Sequence, residues 1–212
     1  HTIILEMIRM PFHSSGDISM AKLYIFDLGD VIMMGCRSLR RMASELSIDE
    51  EEFIRDYNQW NAALMEGFVS TDSYYRHLEN KYGCRIESEL FTDGYDPVIS
   101  EDVLSLVDSL RSSGNRAVIG SNTFACYDEW NKERYPELYG HFDNRYLSNE
   151  INRRKPEAAF FLYILEKEGF RAEDAVFIDD REENTISAEK LGIRSILFRS
   201  AEDLKEKIEE AL

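Results

Sequence analysis

The chain has 212 residues, 43% of them hydrophobic, which is enough for a buried core and argues against global disorder. Its 41 acidic residues outnumber 25 lysines and arginines and give a net charge of −16. Such a surface repels nucleic acid and anionic lipid, and no apolar run reaches the roughly 20 residues of a membrane span. We expect a cytoplasmic monomer or homodimer without a nucleic-acid or membrane partner.

Residues 1–19 differ from the rest of the chain. The stretch "HTIILEMIRM" is apolar but too short for a secretory signal with a cleavage site. We interpret residues 1–19 as an N-terminal extension without a part in the mechanism. The three cysteines, Cys36, Cys84 and Cys126, are far apart and form no CxxC pair, which is typical of reduced, mostly buried thiols.

From residue 20 onward, short apolar runs alternate with helical patterns. Four runs are apolar at consecutive positions, as strands buried on both faces are: 23–26, 117–119, 175–178 and 196–198. Amphipathic helices lie between them, one with Ser100 as N-cap and one with Pro156 as its first residue and Gly169 past its end. This order predicts an α/β fold, a Rossmann-like parallel sheet with helices on both faces.

Residues 36–92 interrupt this alternation. They contain three amphipathic helical patterns, at 39–46, 53–64 and 70–82. Since this insert is too long for an ordinary connection between a strand and a helix, we predict a small helical cap domain at 36–92. The core domain then comprises 20–35 and 93–212. On the second cap helix, Tyr57 and Trp60 suit either a sugar-binding wall or the cap's own core.

Reactive side chains follow three of the predicted strands, and a lysine lies near a predicted helix N-terminus. Together they are predicted at one rim of the sheet: Asp27, Ser121, Asn122, Asp179 and Asp180 after the strands, and Lys155 before Pro156. Each alone would fit a turn, a helix cap or an exposed position. Three carboxylates that converge without a cation would repel one another, however, and an all-oxygen ligand set without histidine or thiolate predicts Mg²⁺.

This combination of groups suits phosphoryl transfer. Mg²⁺ and Lys155 would neutralise charge on the phosphoryl oxygens, while a hydroxyl, an amide and backbone N–H groups would cradle them. Asp27 would then attack phosphorus and form an aspartyl-phosphate.

The chain resembles the haloacid dehalogenase (HAD) superfamily in four motifs that occur in order. They are "YIFDLGD", "VIGSNT", "RRKPEAAF" and "VFIDDREEN", which contain Asp27, Ser121, Lys155 and the group Asp179, Asp180 and Asn184. With "FDLGDV", "RYPE" and "RYLS", the sequence is most similar to bacterial phosphatases that include the alpha-glucose-1-phosphate phosphatases. The resemblance covers roughly residue 21 to the C-terminus.

The resemblance implies a set of roles. Asp27, Asp180 and the backbone carbonyl of Gly29 would bind Mg²⁺ directly, and Asp179 would lie behind them or act as an alternate ligand. Ser121, Asn122 and Lys155 would hold the phosphate, and the cap would close over the substrate.

One position departs from the commonest HAD pattern, which has a second aspartate two residues after the first. That residue protonates the leaving oxygen, and here it is Gly29. We expect modest turnover, or a leaving group that departs unassisted, and we do not expect Asp30 to substitute.

The expected function is therefore a Mg²⁺-dependent phosphatase acting on a small phosphorylated metabolite, with sugar phosphates among the candidates. Two other hypotheses are a metal-free haloacid dehalogenase and a catalytically weak or dead phosphate-binding protein.

Overall fold

A computed structural model of the protein describes residues 21–35 and 39–210. The predicted extension at 1–19 and Cys36 lie outside these residues. Cys84 and Cys126 are free thiols, as expected, but they are half-buried rather than buried. Within the described ranges, no helix is long and apolar enough to cross a membrane.

Seven strands occur in the described part of the chain. In chain order they are β1 (Leu23–Phe26), β2 (Met33–Met34), β3 (Val98–Ile99), β4 (Arg116–Ser121), β5 (Asn144–Leu147), β6 (Ala175–Asp179) and β7 (Arg194–Leu197). Five of them form the main sheet, in the order β5-β4-β1-β6-β7, and every pair in it is parallel. The predicted Rossmann-like sheet is confirmed, and β1 lies at its centre.

The described residues also contain nine α-helices. They are α1 (Leu39–Glu45), α2 (Glu50–Met65), α3 (Thr71–Tyr82), α4 (Glu101–Ser112), α5 (Ala125–Arg134), α6 (Ser148–Ile151), α7 (Ala158–Glu168), α8 (Glu182–Glu189) and α9 (Ala201–Glu209). Ser100 caps α4 by accepting a hydrogen bond from the Val103 N–H, as predicted. The prediction for Pro156 is wrong, because α7 begins at Ala158 with Glu157 as its N-cap.

Successive residues of β1 pack on opposite faces of the sheet. Tyr24 and Phe26 belong to an apolar cluster that includes residues of α4 and α9, whereas Leu23 and Ile25 belong to one that includes residues of α7 and α8. Helices therefore cover both faces of the sheet around β1, and β4 and β6 pair with its two sides. Asp27 follows at the carboxyl edge.

Two features escaped the sequence prediction. The edge strand β5 begins with the polar residues Asn144 and Arg145, so it has no continuous apolar run. Strands β2 and β3 are only two residues long and form an antiparallel ribbon, in which Met34 pairs with Val98. This ribbon brings together the two connections between the sheet and the helices α1–α3.

Helices α1–α3 share an apolar cluster with the start of α5, including Phe124. The cap also touches the core at the end of α2, where the Asn152 side chain donates a hydrogen bond of 2.6 Å to the Glu66 carbonyl. Gly67 has a φ of +72°, and a Cβ there would lie 2.4 Å from the Asn149 carbonyl oxygen. The helices thus lie against the core, although the division into two domains at 36–92 stays a prediction.

Gly120 of β4 allows close packing of α7 on the sheet. A Cβ at this position would lie 2.7 Å from Ile25 Cγ2 and 3.2 Å from Ile164 Cδ1. Gly120→Ala is therefore expected to lower the free energy of unfolding by about 1–3 kcal/mol through overpacking, as measured by urea denaturation. Gly140→Ala is the matched control, because a Cβ there meets nothing within 4 Å. Equal effects of the two substitutions would contradict this account of Gly120.

Candidate active site

Three neighbouring strands place side chains at the carboxyl edge of the sheet. Asp27 follows β1 and is held there by its N–H, which donates to the Ile178 carbonyl at 2.9 Å. Ser121 is the last residue of β4, and Asp179 is the last residue of β6. Because β4 and β6 flank β1, these residues lie side by side, as the sequence predicted.

Lys155 joins two of the strand ends. Its Nζ lies 2.8 Å from Asp27 Oδ1 and 2.7 Å from Asp179 Oδ2, and the residue is only 2% exposed. Burial opposes its charge, but the two carboxylates outweigh burial and raise the pKa of Lys155. A buried ammonium therefore stands permanently beside Asp27.

Asp179 is fully buried and has a donor on each oxygen. Its Oδ2 accepts from Lys155, and its Oδ1 accepts from the Asn184 side chain and the Arg181 N–H, both at 2.9 Å. These bonds orient the carboxylate toward Lys155. The geometry favours Asp179 as the residue that positions Lys155.

Asp27 uses its two oxygens differently. Oδ1 accepts hydrogen bonds from the Leu28 N–H at 2.7 Å and from Lys155. Within the described residues, no donor contacts Oδ2. Burial raises the pKa of Asp27 to about 7, with the Lys155 ammonium lowering it and the Asp179 charge raising it. Hydrogen bonds therefore hold the carboxyl group through Oδ1, and burial disfavours its charged form.

The acidic residues also fit a small, hard cation. Asp27, Asp179 and Asp180 each offer an oxygen, and these oxygens lie within 4.8 Å of one another. Burial, together with the charges of Asp179 and Asp30, raises the pKa of Asp180. One ammonium does not balance three carboxylates, and this group of described residues contains no histidine or thiolate. Such a donor set fits Mg²⁺, and the resemblance described above implies the Gly29 carbonyl as a further oxygen ligand.

Asn122 has a role that sequence reasoning missed. Its Oδ1 accepts from the Lys155 N–H, and its Nδ2 donates to the Lys155 carbonyl, both at 2.8 Å. The carboxamide therefore clamps the lysine backbone, and only the Asn122 backbone N–H is left for the phosphate contact that the sequence predicted. No motif signals this pairing, because the two residues lie 33 positions apart.

The Ser148 side chain holds the loop that follows β4. The side chain is fully buried, and its Oγ accepts from the Thr123 N–H at 3.0 Å and donates to the Thr123 carbonyl at 3.3 Å. From the sequence, Ser148 was indistinguishable from an ordinary polar residue at the start of a helix.

Ser121 lines a cavity of about 150 Å³ with Gly29, Asn122 and Thr123. Asn131 lines it too, is 2% exposed, and has an Oδ1 without a hydrogen-bond partner within the described residues.

The two arginines that precede Lys155 and an aromatic residue of the cap are engaged elsewhere. Arg154 pairs with Glu157 at 3.0 Å, and Arg153 packs over the Tyr163 ring, so neither reinforces the site next to Lys155. Trp60 packs within the cap against Tyr74 and His77, which favours the cap-core interpretation over a sugar-binding wall.

The geometry of Asp30 disfavours it as a substitute for the acid that Gly29 lacks. The residue is exposed, has a φ of 52°, and its Oδ1 accepts a hydrogen bond of 3.1 Å from the Gly35 N–H. Its side chain is therefore used in the turn that follows β1.

The fold and the rim define an α/β enzyme with its reactive groups at the carboxyl edge of a parallel sheet. The chain belongs to the haloacid dehalogenase-like hydrolases, because the sequence model of this family matches residues 21–192. That match confirms the superfamily predicted from the four motifs. It does not single out the alpha-glucose-1-phosphate phosphatases.

Solved structures agree with this assignment. A HAD-like family hydrolase from Porphyromonas gingivalis is 25% identical and has a TM-score of 0.77, covering 91% of this chain and 98% of that chain. A HAD family enzyme from Bacteroides thetaiotaomicron, in complex with magnesium and inorganic phosphate, is 22% identical with a TM-score of 0.72, covering 84% of this chain and 94% of that chain. At this identity the second likeness shows the fold alone.

A curated relative is the drimenol cyclase drtB of Aspergillus calidoustus, 25% identical over 202 residues. The match covers 89% of this chain but only 36% of the cyclase. The chain therefore spans about a third of the length of this relative.

Proposed function

We propose that this hydrolase is a Mg²⁺-dependent phosphatase that acts on a small phosphomonoester through an aspartyl-phosphate. The observation that carries the proposal is the contact of Lys155 Nζ with Asp27 at the end of the central strand, beside Asp179 and Asp180. The magnesium and phosphate complex of the B. thetaiotaomicron enzyme supports it by analogy.

The first step uses the two oxygens of Asp27. With Oδ1 held by Lys155 and the Leu28 N–H, Oδ2 attacks phosphorus. The bond from phosphorus to the ester oxygen breaks, and its electron pair leaves with the alcohol oxygen. Lys155, the Ser121 hydroxyl and the Asn122 N–H hold the phosphoryl oxygens in place.

The second step is hydrolysis. Water attacks the aspartyl-phosphate, releases inorganic phosphate and restores the Asp27 carboxylate. Asn122 and Asp179 serve both steps by keeping Lys155 in position through the contacts described above.

Asp27, Asp180 and the Gly29 carbonyl would hold Mg²⁺, with Asp179 as an alternate ligand. When bound, the ion would neutralise negative charge on the phosphoryl oxygens.

The proposal is tested by assaying phosphate release from a panel of phosphomonoesters with Mg²⁺ and with EDTA. We expect release with Mg²⁺ and its loss in EDTA. Equal turnover of a substrate in EDTA would favour the metal-free dehalogenase hypothesis. Absence of release from every member at high enzyme concentration would favour the phosphate-binding protein that Gly29 suggests.

Mg²⁺ and protons should compete for Asp27. Because the pKa in the folded protein is raised to about 7, the folded state keeps a proton that the unfolded state loses near pH 4. The stability from this protonated carboxyl group is therefore lost as the pH rises toward 7. We expect Mg²⁺ affinity near pH 7.5 to exceed that near pH 5.5 by about 20-fold. The increase in Tm on adding Mg²⁺ should therefore be larger at the higher pH.

The check is thermal denaturation across a Mg²⁺ titration at the two pH values. Asp180→Asn is the matched control, since it should weaken the Mg²⁺ response at both. A Tm increase that is independent of pH would contradict the competition.

A further inference from the structure

A second cavity, of about 160 Å³, adjoins the proposed phosphate site and bears on the substrate class, so this inference rests on the proposed function. Asn122 and Thr123, which follow Ser121 at the end of β4, line both this cavity and the one beside Gly29. The remaining walls come from the cap and from the start of α5. We call this space the cap cavity.

The lining of the cap cavity is mainly apolar and aromatic. Apart from Asn122 and Thr123, the residues that line it carry aliphatic, thioether or aromatic side chains, among them Met42, Tyr57, Met65, Phe91, Phe124 and Tyr127. The Phe91 and Phe124 rings are in contact, with their centroids 4.7 Å apart. A cavity of about this size, lined by aliphatic and aromatic side chains, is one that binds benzene.

Polar groups in the cap cavity are few. None of its described lining residues is charged, and the Asn122 carboxamide is occupied by the Lys155 backbone. The Thr123 hydroxyl donates to the Phe124 carbonyl at 3.4 Å. The phenol hydroxyls of Tyr57 and Tyr127 are the other polar groups of its lining. A sugar would bury more hydroxyl groups here than these few groups can pair, which is unfavourable, whereas an apolar ring would not.

The Arg181 guanidinium, one residue after Asp180, is near enough to act electrostatically on the buried phenol of Tyr57, which lines the cap cavity. One wall of the cavity is therefore near the loop that carries Asp180.

The missing acid points to the same class of substrate. Gly29 offers no side chain to protonate the leaving oxygen, and Asp30 is engaged in a turn. A phenolate leaves more readily than an alkoxide because a phenol, with a pKa near 10, is much the stronger acid. An aromatic ring bonded directly to the ester oxygen thus satisfies both the cavity and the chemistry.

We propose that the natural substrate class is compact aryl phosphates, with a single aromatic ring seated in the cap cavity. Asp27 Oδ2 bonds to phosphorus, and the bond from phosphorus to the aryl oxygen breaks. The phenolate leaves with the electron pair and takes its proton from water. Hydrolysis of the aspartyl-phosphate then completes the cycle.

The test compares four substrates with Mg²⁺: phenyl phosphate, benzyl phosphate, glycerol phosphate and glucose 1-phosphate. We expect kcat/KM for phenyl phosphate to exceed that for glycerol phosphate and glucose 1-phosphate by about tenfold or more. Benzyl phosphate has the same ring but a poorer leaving group, so it should share the low KM and show a lower kcat. Binding can also be measured without turnover of the ligand. The inhibition constant of phenylphosphonate should be about tenfold lower than that of methylphosphonate.

Substitutions distinguish an effect on the cap cavity from a general effect on the cap. Met65 is half-buried and lines the cap cavity, and Met65→Gln should lower kcat/KM for phenyl phosphate about tenfold but that for glycerol phosphate less than twofold. Met65→Leu, which keeps the apolar volume, should retain the preference. Leu46→Gln is the matched control, because Leu46 packs on the same cluster without lining the cavity.

Equal kcat/KM for phenyl and glycerol phosphates, or equal effects of Met65→Gln on both, would overturn the aryl assignment and leave the phosphatase proposal standing. Absence of phosphate release from all four substrates would reject the aryl assignment, and absence of release from the wider panel of phosphomonoesters as well would reject the phosphatase proposal with it.

Discussion

Asp27→Asn is expected to lower phosphatase turnover by about four orders of magnitude or more, because it removes the proposed nucleophile. The amide is nearly the same size as the carboxyl group, and its oxygen can still accept from Lys155 and the Leu28 N–H. The substitution should therefore preserve the fold while abolishing attack on phosphorus. The measurement is steady-state hydrolysis of p-nitrophenyl phosphate with Mg²⁺, together with a thermal denaturation curve for each protein.

Asp30→Asn is the matched control for this experiment. Asp30 lies three positions further along the chain, is exposed, and uses its Oδ1 to accept from the Gly35 N–H, which an asparagine oxygen also can do. We expect its activity to stay within about threefold of the unmodified protein. Full activity in Asp27→Asn would end the nucleophile assignment.

Lys155→Met is expected to damage both stability and catalysis. The substitution leaves Asp27 and Asp179 without their shared ammonium in a buried site, and breaking a buried ion pair in this way costs about 3–5 kcal/mol. The free energy of unfolding, measured by urea denaturation, should fall by that amount. The loss should grow with pH, because protonation of the carboxyl groups relieves it at low pH. Turnover should fall about 1,000-fold as the phosphoryl oxygens lose their cation.

Lys81→Met provides the control for removing a lysine from a buried aspartate. Lys81 Nζ lies 2.7 Å from Asp56 Oδ2, but the Lys81 side chain is 41% exposed, and Asp56 keeps His77 as a second partner at 2.8 Å. We expect a much smaller loss of stability and no change in turnover. A similar destabilisation by the two substitutions would show that Lys155 is not the centre of a buried network.

Local signals in the sequence were sufficient for four strands of the main sheet and for its rim. Buried parallel strands are apolar at consecutive positions, so the runs before Asp27 and Asp179 stood out, and the carboxyl ends of such strands share one edge. For this reason the structure places Asp27, Ser121 and Asp179 at one edge, as predicted, and Lys155 reaches the same edge from the segment before α7. Their roles in binding and catalysis stay predictions.

The missed features depend on contacts between distant residues. Strand β5 is recognisable only beside β4, because its own residues Asn144 and Arg145 are polar. The Asn122 clamp needs both the loop after β4 and the segment before α7 in place. Likewise, the positive charges of Arg153 and Arg154 were visible in the sequence, but their partners were not.

The β2–β3 ribbon has a consequence for exchanging parts of the molecule. Met34 and Val98 are cross-strand neighbours, and the Ser100 N–H donates to the Ile32 carbonyl at 2.8 Å, so the chain departs from the sheet and returns to it at a single neck. Antiparallel neighbours of this kind can be joined by a two-residue turn. A foreign helical module whose ends lie equally close together could therefore be grafted at this neck without changing the register of the parallel strands.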